Sequence, residues 1–311
     1  MINYLSLNHN KKLLAIGRND GFSVILIEKN KVLINRPTKK IYIIELFYNT
    51  NLIFIIGDNK PLNILNIWDD SKEKYIGFIE IKNNIEFVKM NKNFILISDN
   101  KHLYIYNFEN LQFKKKIYYN SYHLFHYDIS FNNIITYTDK IGFINLYNVD
   151  NNHTRTFKAH DNNIQYIKIS NNSKYIASVS ENGSIIKIFD FNTFKLLKLL
   201  YRGINYSKII SIDFDMNDEY IFVFTNNKTL HIYNLNNNIN PSFILSSITS
   251  FFKNNILDYE TSLYKINLND DNVLCVMNIY NQVYIINKTN LQIDKYILNN
   301  DLYSLATITS V

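Results

Sequence analysis

The chain is poor in the residues that usually supply crosslinks, tight turns and ionic grids. Its 311 residues include one cysteine, three prolines, one tryptophan and seven glycines. Arginine occurs only as Arg18, Arg36, Arg155 and Arg202. A lone cysteine excludes an internal disulfide framework and a thiolate-rich zinc site, and fits a reducing compartment. Cys275 lies in the apolar run NVLCVMNIY, which reads as a buried strand. No stretch approaches the roughly 20 apolar residues needed to span a bilayer. MINYLSLNHNKK has no apolar run long enough for a signal peptide. The expectation is a soluble cytosolic protein whose membrane contact, if any, is peripheral. A Gly-rich phosphate loop, an HExxH pair and a nucleophile elbow are all missing, which argues against an enzyme and implies no metal or cofactor.

What is present is β-forming. Hydrophobic residues make up 47% and charged residues 19%, enough apolar mass for a sizeable core. Lys and Arg total 33 against 27 for Asp and Glu, a net charge of +6 that leans towards acidic partners. Asparagine is abundant together with Lys, Ile and Tyr, the mark of AT-rich coding, so the Asn runs carry little functional weight.

Short runs of Ile, Val, Tyr and Phe alternate with Asn, Asp and Lys turns, the pattern of many short strands. They group in fours with a period of about 40 residues, the spacing of propeller blades. The clearest group is NIQYIKIS, KYIASVS, SIIKIFDF and FKLLKLL, from Asn163 to Leu200. Upstream come IYIIELFYN, LIFIIGD, LNILNIWDD and YIGFIEI, then IEFVKM, NFILISD, HLYIYNF and QFKKKIY. Seven such units fit the chain, so an all-β, seven-bladed, WD40-like β-propeller is expected as a single domain over residues 1–311. The unit from Tyr122 to Lys158 is less regular. The unit from Lys208 to Leu268 is too long, and the excess at about 236–261 reads as a loop insertion in the sixth blade.

The stretch from His160 to His231 is more specific. A histidine, then ASVSENGSIIKIFD, a strand ending in an Arg-Gly turn, and TNNKTLHIY together resemble the PROPPIN family of seven-bladed WD-repeat-like propellers. GFSVI near the start, NILNIWDDSKEKYIGFIEI and HLYIYNFENLQ extend the resemblance, which fades after Asn236. It implies phosphatidylinositol 3-phosphate or 3,5-bisphosphate binding by a peripheral membrane effector of autophagy or endosomal traffic.

In that family a Phe-Arg-Arg-Gly turn sends two arginines to opposite sides of one blade. Neighbours on an extended chain face opposite ways, and a guanidinium fork matches phosphate oxygens. Here the turn is Leu200-Tyr201-Arg202-Gly203, so the resemblance implies one intact pocket and one weakened pocket. The main pocket comprises Arg202, Thr225, Thr229 and His231. The weakened one comprises His160, Ser178, Ser180, Gly183, Ser184 and Lys187, with Tyr201 at the missing arginine. Loss of a charged hydrogen bond, worth about 1.5–3 kcal/mol, would weaken the second pocket roughly ten- to hundredfold. For His160 and His231 a purely structural role within the repeat is the other reading, and for Ser178, Ser180 and Thr225 a plain strand-end role.

Within the insertion, Phe243, Ile244, Leu245, Ile248, Phe251 and Phe252 recur at helix-like spacing beside Lys253. By position they correspond to the family's membrane-inserting loop, and the alternative is packing on the propeller itself. The resemblance also implies protein partners of autophagy, among them a lipid-transfer protein on the rim near the second and third blades. The expected state is a monomer on autophagic, endosomal or vacuolar membranes, or on a plastid membrane if the source carries a plastid. The rival reading is a scaffold propeller that has lost lipid binding. Asp69-Asp70 reads as a turn pair, and Lys114-Lys115-Lys116 as a solvated edge strand rather than a nucleic-acid patch.

Overall fold

The structure is a computed structural model that describes residues 1–119, 127–236, 259–270, 272–277, 282–297 and 305–308. Among them lie seven sheets, each built on an antiparallel meander of four strands, to which blade five adds a fifth, parallel strand. Blades one to seven cover residues 2–37, 41–80, 87–118, 127–158, 164–201, 209–267 and 273–308. The chain divides into two compact units, Met1–Tyr119 with Asn272–Val311, and Asn120–Asp271.

In the first unit, blades one and two share the cluster of Ala15, Phe22, Val24, Ile41, Ile44 and Ile55. Blades two and three share Phe54, Ile56, Leu65, Ile95, Ile97 and Tyr104. The first and last blades pack through Leu14, Ile16, Ile25, Tyr284 and Ile286. In the second unit, Ile144, Leu146, Ile167, Ile176 and Phe189 join blade four to blade five, and Ala177, Val179, Leu200, Phe214, Val223 and Tyr233 join blade five to blade six. Sheets stacked on both faces explain why a middle strand such as Tyr175–Ser180 is buried almost throughout, whereas an outer strand such as Thr154–Lys158 alternates.

The shortage of glycine has a structural counterpart at the turns. Left-handed backbone positions are taken by Asn30, Asn59, Asn133, Asn152, Asp58 and Asp218 among others, residue types that tolerate this region best after glycine. Asn8, Asn91, Asn107, Asn148 and Asn287 accept backbone N–H bonds with their side-chain oxygens within blade turns. The asparagines are turn builders.

The remaining sequence expectations have definite places. Cys275 is buried on its strand. Asp69 accepts from the Ser71 amide and hydroxyl in a turn. Asp70 does more than the turn reading predicts: it accepts from Arg36 Nε at 2.8 Å and from Trp68 Nε1 at 3.2 Å, bridging blade two to blade one. Lys114 and Lys116 lie over the Phe94 and Tyr104 rings on the outer strand of blade three. In the second unit, Lys168 stands between Asp128 at 3.5 Å and Asp213 at 3.6 Å, tying the first strands of blades four, five and six.

The sixth blade corrects the simple four-strand picture. Its fourth strand is Tyr264–Asn267, paired to Thr229–Asn234. Before reaching it, the chain pairs residues Tyr259–Thr261 in parallel with Leu196–Tyr201, giving blade five a fifth strand. The apolar residues Phe243, Ile244, Leu245, Ile248, Phe251 and Phe252 lie outside the described residues.

Candidate functional site

Register decides where the side chains of blade five point. Ser178 pairs with Lys187, and Ile185 with Tyr201, so Ser178, Ser180, Lys187 and Tyr201 share one face. That face looks towards blade four. Ala177, Val179, Ile186 and Leu200 occupy the opposite face, packed against blade six, and Arg202 continues their alternation. Tyr201 and Arg202 therefore serve opposite sides of the blade.

On the blade-six side, the Arg202 guanidinium is half-buried and braced by backbone. Its Nε donates to the Gly183 carbonyl at 2.9 Å and a terminal nitrogen donates to the Asn205 carbonyl, while its own N–H donates to the Ser184 carbonyl at 2.9 Å. Arg18 and Arg36 pair with carboxylates, and Arg155 lies 4.5 Å from the Phe194 ring centroid. Among the described residues no carboxylate pairs with Arg202. Burial opposes its charge and depresses its pKa, with Tyr233 and Tyr201 partly countering. A cation fixed by neutral carbonyls keeps its field for an incoming anion.

Blade six supplies the facing wall. Val223 pairs with His231, which sets Thr225, Thr229 and His231 on one face. The Thr225 and Thr229 hydroxyls are 2.7 Å apart. Thr225 and His231 are buried and Thr229 is half-buried. His231 Nδ1 lies 3.3 Å from the Ser262 hydroxyl. Its pKa falls to about 4 through burial, then through the charges of Lys265 and Arg202. The structure thus brings Arg202, Thr225, Thr229 and His231 to one cleft and adds Lys265, exposed and directly opposite His231. Sequence reasoning missed Lys265 and Ser262. The alternation of SLYKINL against TLHIY would have found Lys265 had the register been known.

On the blade-four side, His160 Nε2 lies 2.9 Å from the buried Ser178 hydroxyl, and Lys187 Nζ donates to the Ala159 carbonyl at 2.9 Å. Burial and then the Lys187 charge bring the His160 pKa to about 3. Burial also lowers that of Lys187. Ser180 is half-buried at the end of its strand and its carbonyl accepts from Gly183. Gly183 and Ser184, expected in this cluster, present their backbone carbonyls to Arg202. The two clefts differ in kind: a braced guanidinium on one side, and a single ammonium already engaged on the other.

Both histidines are neutral at physiological pH, and their folded-state pKa values lie below the ordinary value of about 6.5. Their burial contributes stability that is present above pH 6.5 and is lost as pH falls towards 4, where the unfolded chain takes up protons first. For His231 the loss amounts to about 2–3 kcal/mol. Urea unfolding between pH 7 and 4.5 should show a midpoint that falls more steeply in the wild type than in His231→Gln. Parallel pH profiles would show that His231 does not carry this term.

Seven sheets, six of four strands and one of five, and a cleft lined by Arg202, His231 and Lys265 define a seven-bladed, all-β propeller with a cationic site on its fifth and sixth blades. Residues 2–257 match the PROPPIN family, and the chain belongs to it. The chain is 28% identical over 249 residues to SVP1-like protein 2 of Pichia angusta, covering 74% of this chain and 69% of that protein. It is 24% identical over 243 residues to the WD repeat domain phosphoinositide-interacting protein 1 of Xenopus laevis (74% and 56%). It is also 23% identical over 252 residues to autophagy-related protein 18 of Caenorhabditis elegans (75% and 61%). The chain thus spans little more than half the length of the last two.

Among solved structures, Kluyveromyces lactis Hsv2 superposes with a TM-score of 0.82 at 18% identity, covering 99% of this chain and 98% of that one. KlAtg21, solved in complex with the coiled coil of AgAtg16, superposes with a TM-score of 0.79 at 15% identity, covering 100% and 98%. The family's propellers are non-enzymatic. Among the described residues no group of His, Cys, Asp or Glu side chains is placed to hold a metal ion, and no helix is long and apolar enough to cross a membrane.

Proposed function

We propose that this chain is a peripheral membrane effector that recognises a 3-phosphorylated phosphoinositide, mono- or bisphosphate, through the cleft built on Arg202. One observation carries the reading: a half-buried guanidinium held by two backbone carbonyls, without a carboxylate partner among the described residues, beside Lys265 and a neutral His231. A phosphomonoester offers the oxygens and charge this arrangement lacks. His231, Thr225 and Thr229 supply neutral donors, and Lys265 a second charge at the rim. The phosphoinositide-interacting relative supports the same ligand class. The His160–Ser178–Lys187 cleft acts as a weaker second site.

The residues Phe243, Ile244, Leu245, Ile248, Phe251 and Phe252 insert into the membrane interface. Apolar burial then adds to headgroup binding as an intramolecular second contact. The setting is autophagy-related or endosomal traffic on autophagic, endosomal or vacuolar membranes, extending to a plastid membrane where the source carries one. The partners are other autophagy factors, including a lipid-transfer protein and coiled-coil proteins such as the one bound by KlAtg21.

Flotation with vesicles containing phosphatidylinositol 3-phosphate or plain phosphatidylinositol, at physiological ionic strength where long-range attraction is screened, tests the reading. Binding should require the 3-phosphate. Replacing Phe251 and Phe252 together by Ser should reduce it about tenfold or more, since two buried aromatic side chains are lost from the interface. Equal binding to both vesicle types, or to neither, would leave a protein-interaction scaffold. Undiminished binding of the double variant would remove the loop from the mechanism.

A further inference from the structure

The short parallel strand on blade five belongs to the connection that leads back into blade six, and its contacts fall on both walls of the Arg202 cleft. Tyr259, Glu260 and Thr261 pair with Leu199, Leu200 and Tyr201, the three residues before Arg202. Lys198 Nζ meets Glu260 Oε1 at 2.7 Å, with both side chains largely buried. The Tyr259 ring stands edge-on to Tyr201 at 6.4 Å. One residue further on, Ser262 Oγ lies 3.3 Å from His231 Nδ1, and the Leu263 N–H donates to the Ile232 carbonyl at 2.8 Å. Five consecutive residues therefore touch the strand that carries Arg202 and the strand that carries His231.

We propose that residues 259–263 form a clasp that positions the two walls of the anion cleft, locked by the Lys198–Glu260 ion pair and by Ser262. The proposal rests on the assignment of that cleft to a phosphate ligand. A three-residue parallel pairing is weak by itself, because parallel ladders gain little per residue. The ion pair, shielded from solvent, adds a charge-assisted bond on the face that Lys198 and Leu200 share with Arg202. Ser262 acts one bond away from the ligand. A hydroxyl held at Nδ1 fixes the ring orientation and leaves Nε2 of His231 for the cleft, as an orienting partner does for a metal-bound histidine. Lys198, Glu260 and Ser262 are positioning residues, which touch the walls and not the phosphate.

Two consequences follow. Glu260 pairs with Leu200 on this face, and its engagement by Lys198 occupies a carboxylate that would otherwise compete for Arg202. The clasp also follows the insertion along the chain, so displacement of residues 259–261 from blade five would alter the cleft.

The test is titration of the full chain with soluble inositol 1,3-bisphosphate, a headgroup without acyl chains that isolates the cleft from membrane insertion. Lys198→Glu and Glu260→Lys should each weaken binding about tenfold, the scale of one charge-assisted hydrogen bond. The double exchange Lys198→Glu with Glu260→Lys should restore most of the affinity, which distinguishes a lock from a general loss of fold. Ser262→Ala should shift the His231 imidazole resonances and weaken binding severalfold, whereas Ser262→Thr should retain it. Single variants that bind as tightly as the wild type, or a double exchange that does not recover, would overturn the clasp. Arg202→Ala in the same titration separates the two ideas: if it binds normally, the phosphate assignment fails and takes the clasp with it; if it loses binding while the clasp variants do not, only the clasp fails.

Discussion

Arg202→Ala should lose about 10- to 100-fold in affinity for vesicles carrying phosphatidylinositol 3-phosphate, while binding to phosphatidylinositol vesicles stays at background. The guanidinium is already oriented, with Nε on the Gly183 carbonyl and one terminal nitrogen on the Asn205 carbonyl, so little side-chain freedom is lost when a phosphate docks on the remaining donors. Removing a charged hydrogen-bond partner costs about 1.5–3 kcal/mol, which sets the expected fold-change. Arg202→Lys should recover part of it, because an ammonium restores the charge without the fork. Lys265→Ala, at the exposed rim, should cost less and mainly flatten the dependence on salt, because one screened charge contact is gone. An Arg202→Ala protein that binds like the wild type would remove the cleft from lipid recognition. Unfolding midpoints guard against a trivial cause, since Arg202 also braces the turn at Gly183.

Gly183→Val should destabilise the fold by about 3 kcal/mol or more and impair the Arg202 cleft at the same time. Gly183 sits at φ +67°, where a β-branched residue is strained, and any Cβ there would collide with the Ser207 backbone carbonyl. Backbone cannot yield as a flexible side chain can. The same glycine presents its carbonyl to Arg202 Nε, so a shifted turn moves the guanidinium. Gly203 is the internal control. It has φ +155°, yet a Cβ there would meet no atom within 4 Å. Gly203→Ala should therefore cost only the backbone term, about 1 kcal/mol. Denaturant titration of the two variants measures the difference. Equal stabilities would mean that the Ser207 contact does not constrain the turn.

Much of the blade architecture was legible because alternation and burial agree. KYIASVS reads as a strand, and Tyr175–Ser180 is that strand, buried almost throughout. FKLLKLL reads as the fourth strand of its blade, and Leu196–Tyr201 is that strand. The opposite facing of Tyr201 and Arg202 follows from strand periodicity alone and holds in the register. The contacts between blades were not legible. The Asp70–Arg36 bridge joins residues 34 positions apart, and nothing in the local pattern WDD distinguishes a turn aspartate from a bridging one.

Residues 259–261 were hidden for a different reason. DYET is too short and too polar to score as a strand, and it is held by the free edge of Leu196–Tyr201 rather than by its own propensity. The family resemblance assigns Gly183 and Ser184 to the His160 cluster. Their carbonyls face the other side of the blade, as a backbone group at a turn can regardless of its side chain.

The central claim is one dominant phosphate cleft built on Arg202. Calorimetric titration of the wild-type chain with soluble inositol 1,3-bisphosphate tests it most directly, because stoichiometry is read without a membrane. The account predicts one tight site per chain, weakened about 10- to 100-fold by Arg202→Ala and little affected by Lys187→Ala. Two sites of equal affinity, a site whose affinity survives Arg202→Ala, or no heat at all would contradict it.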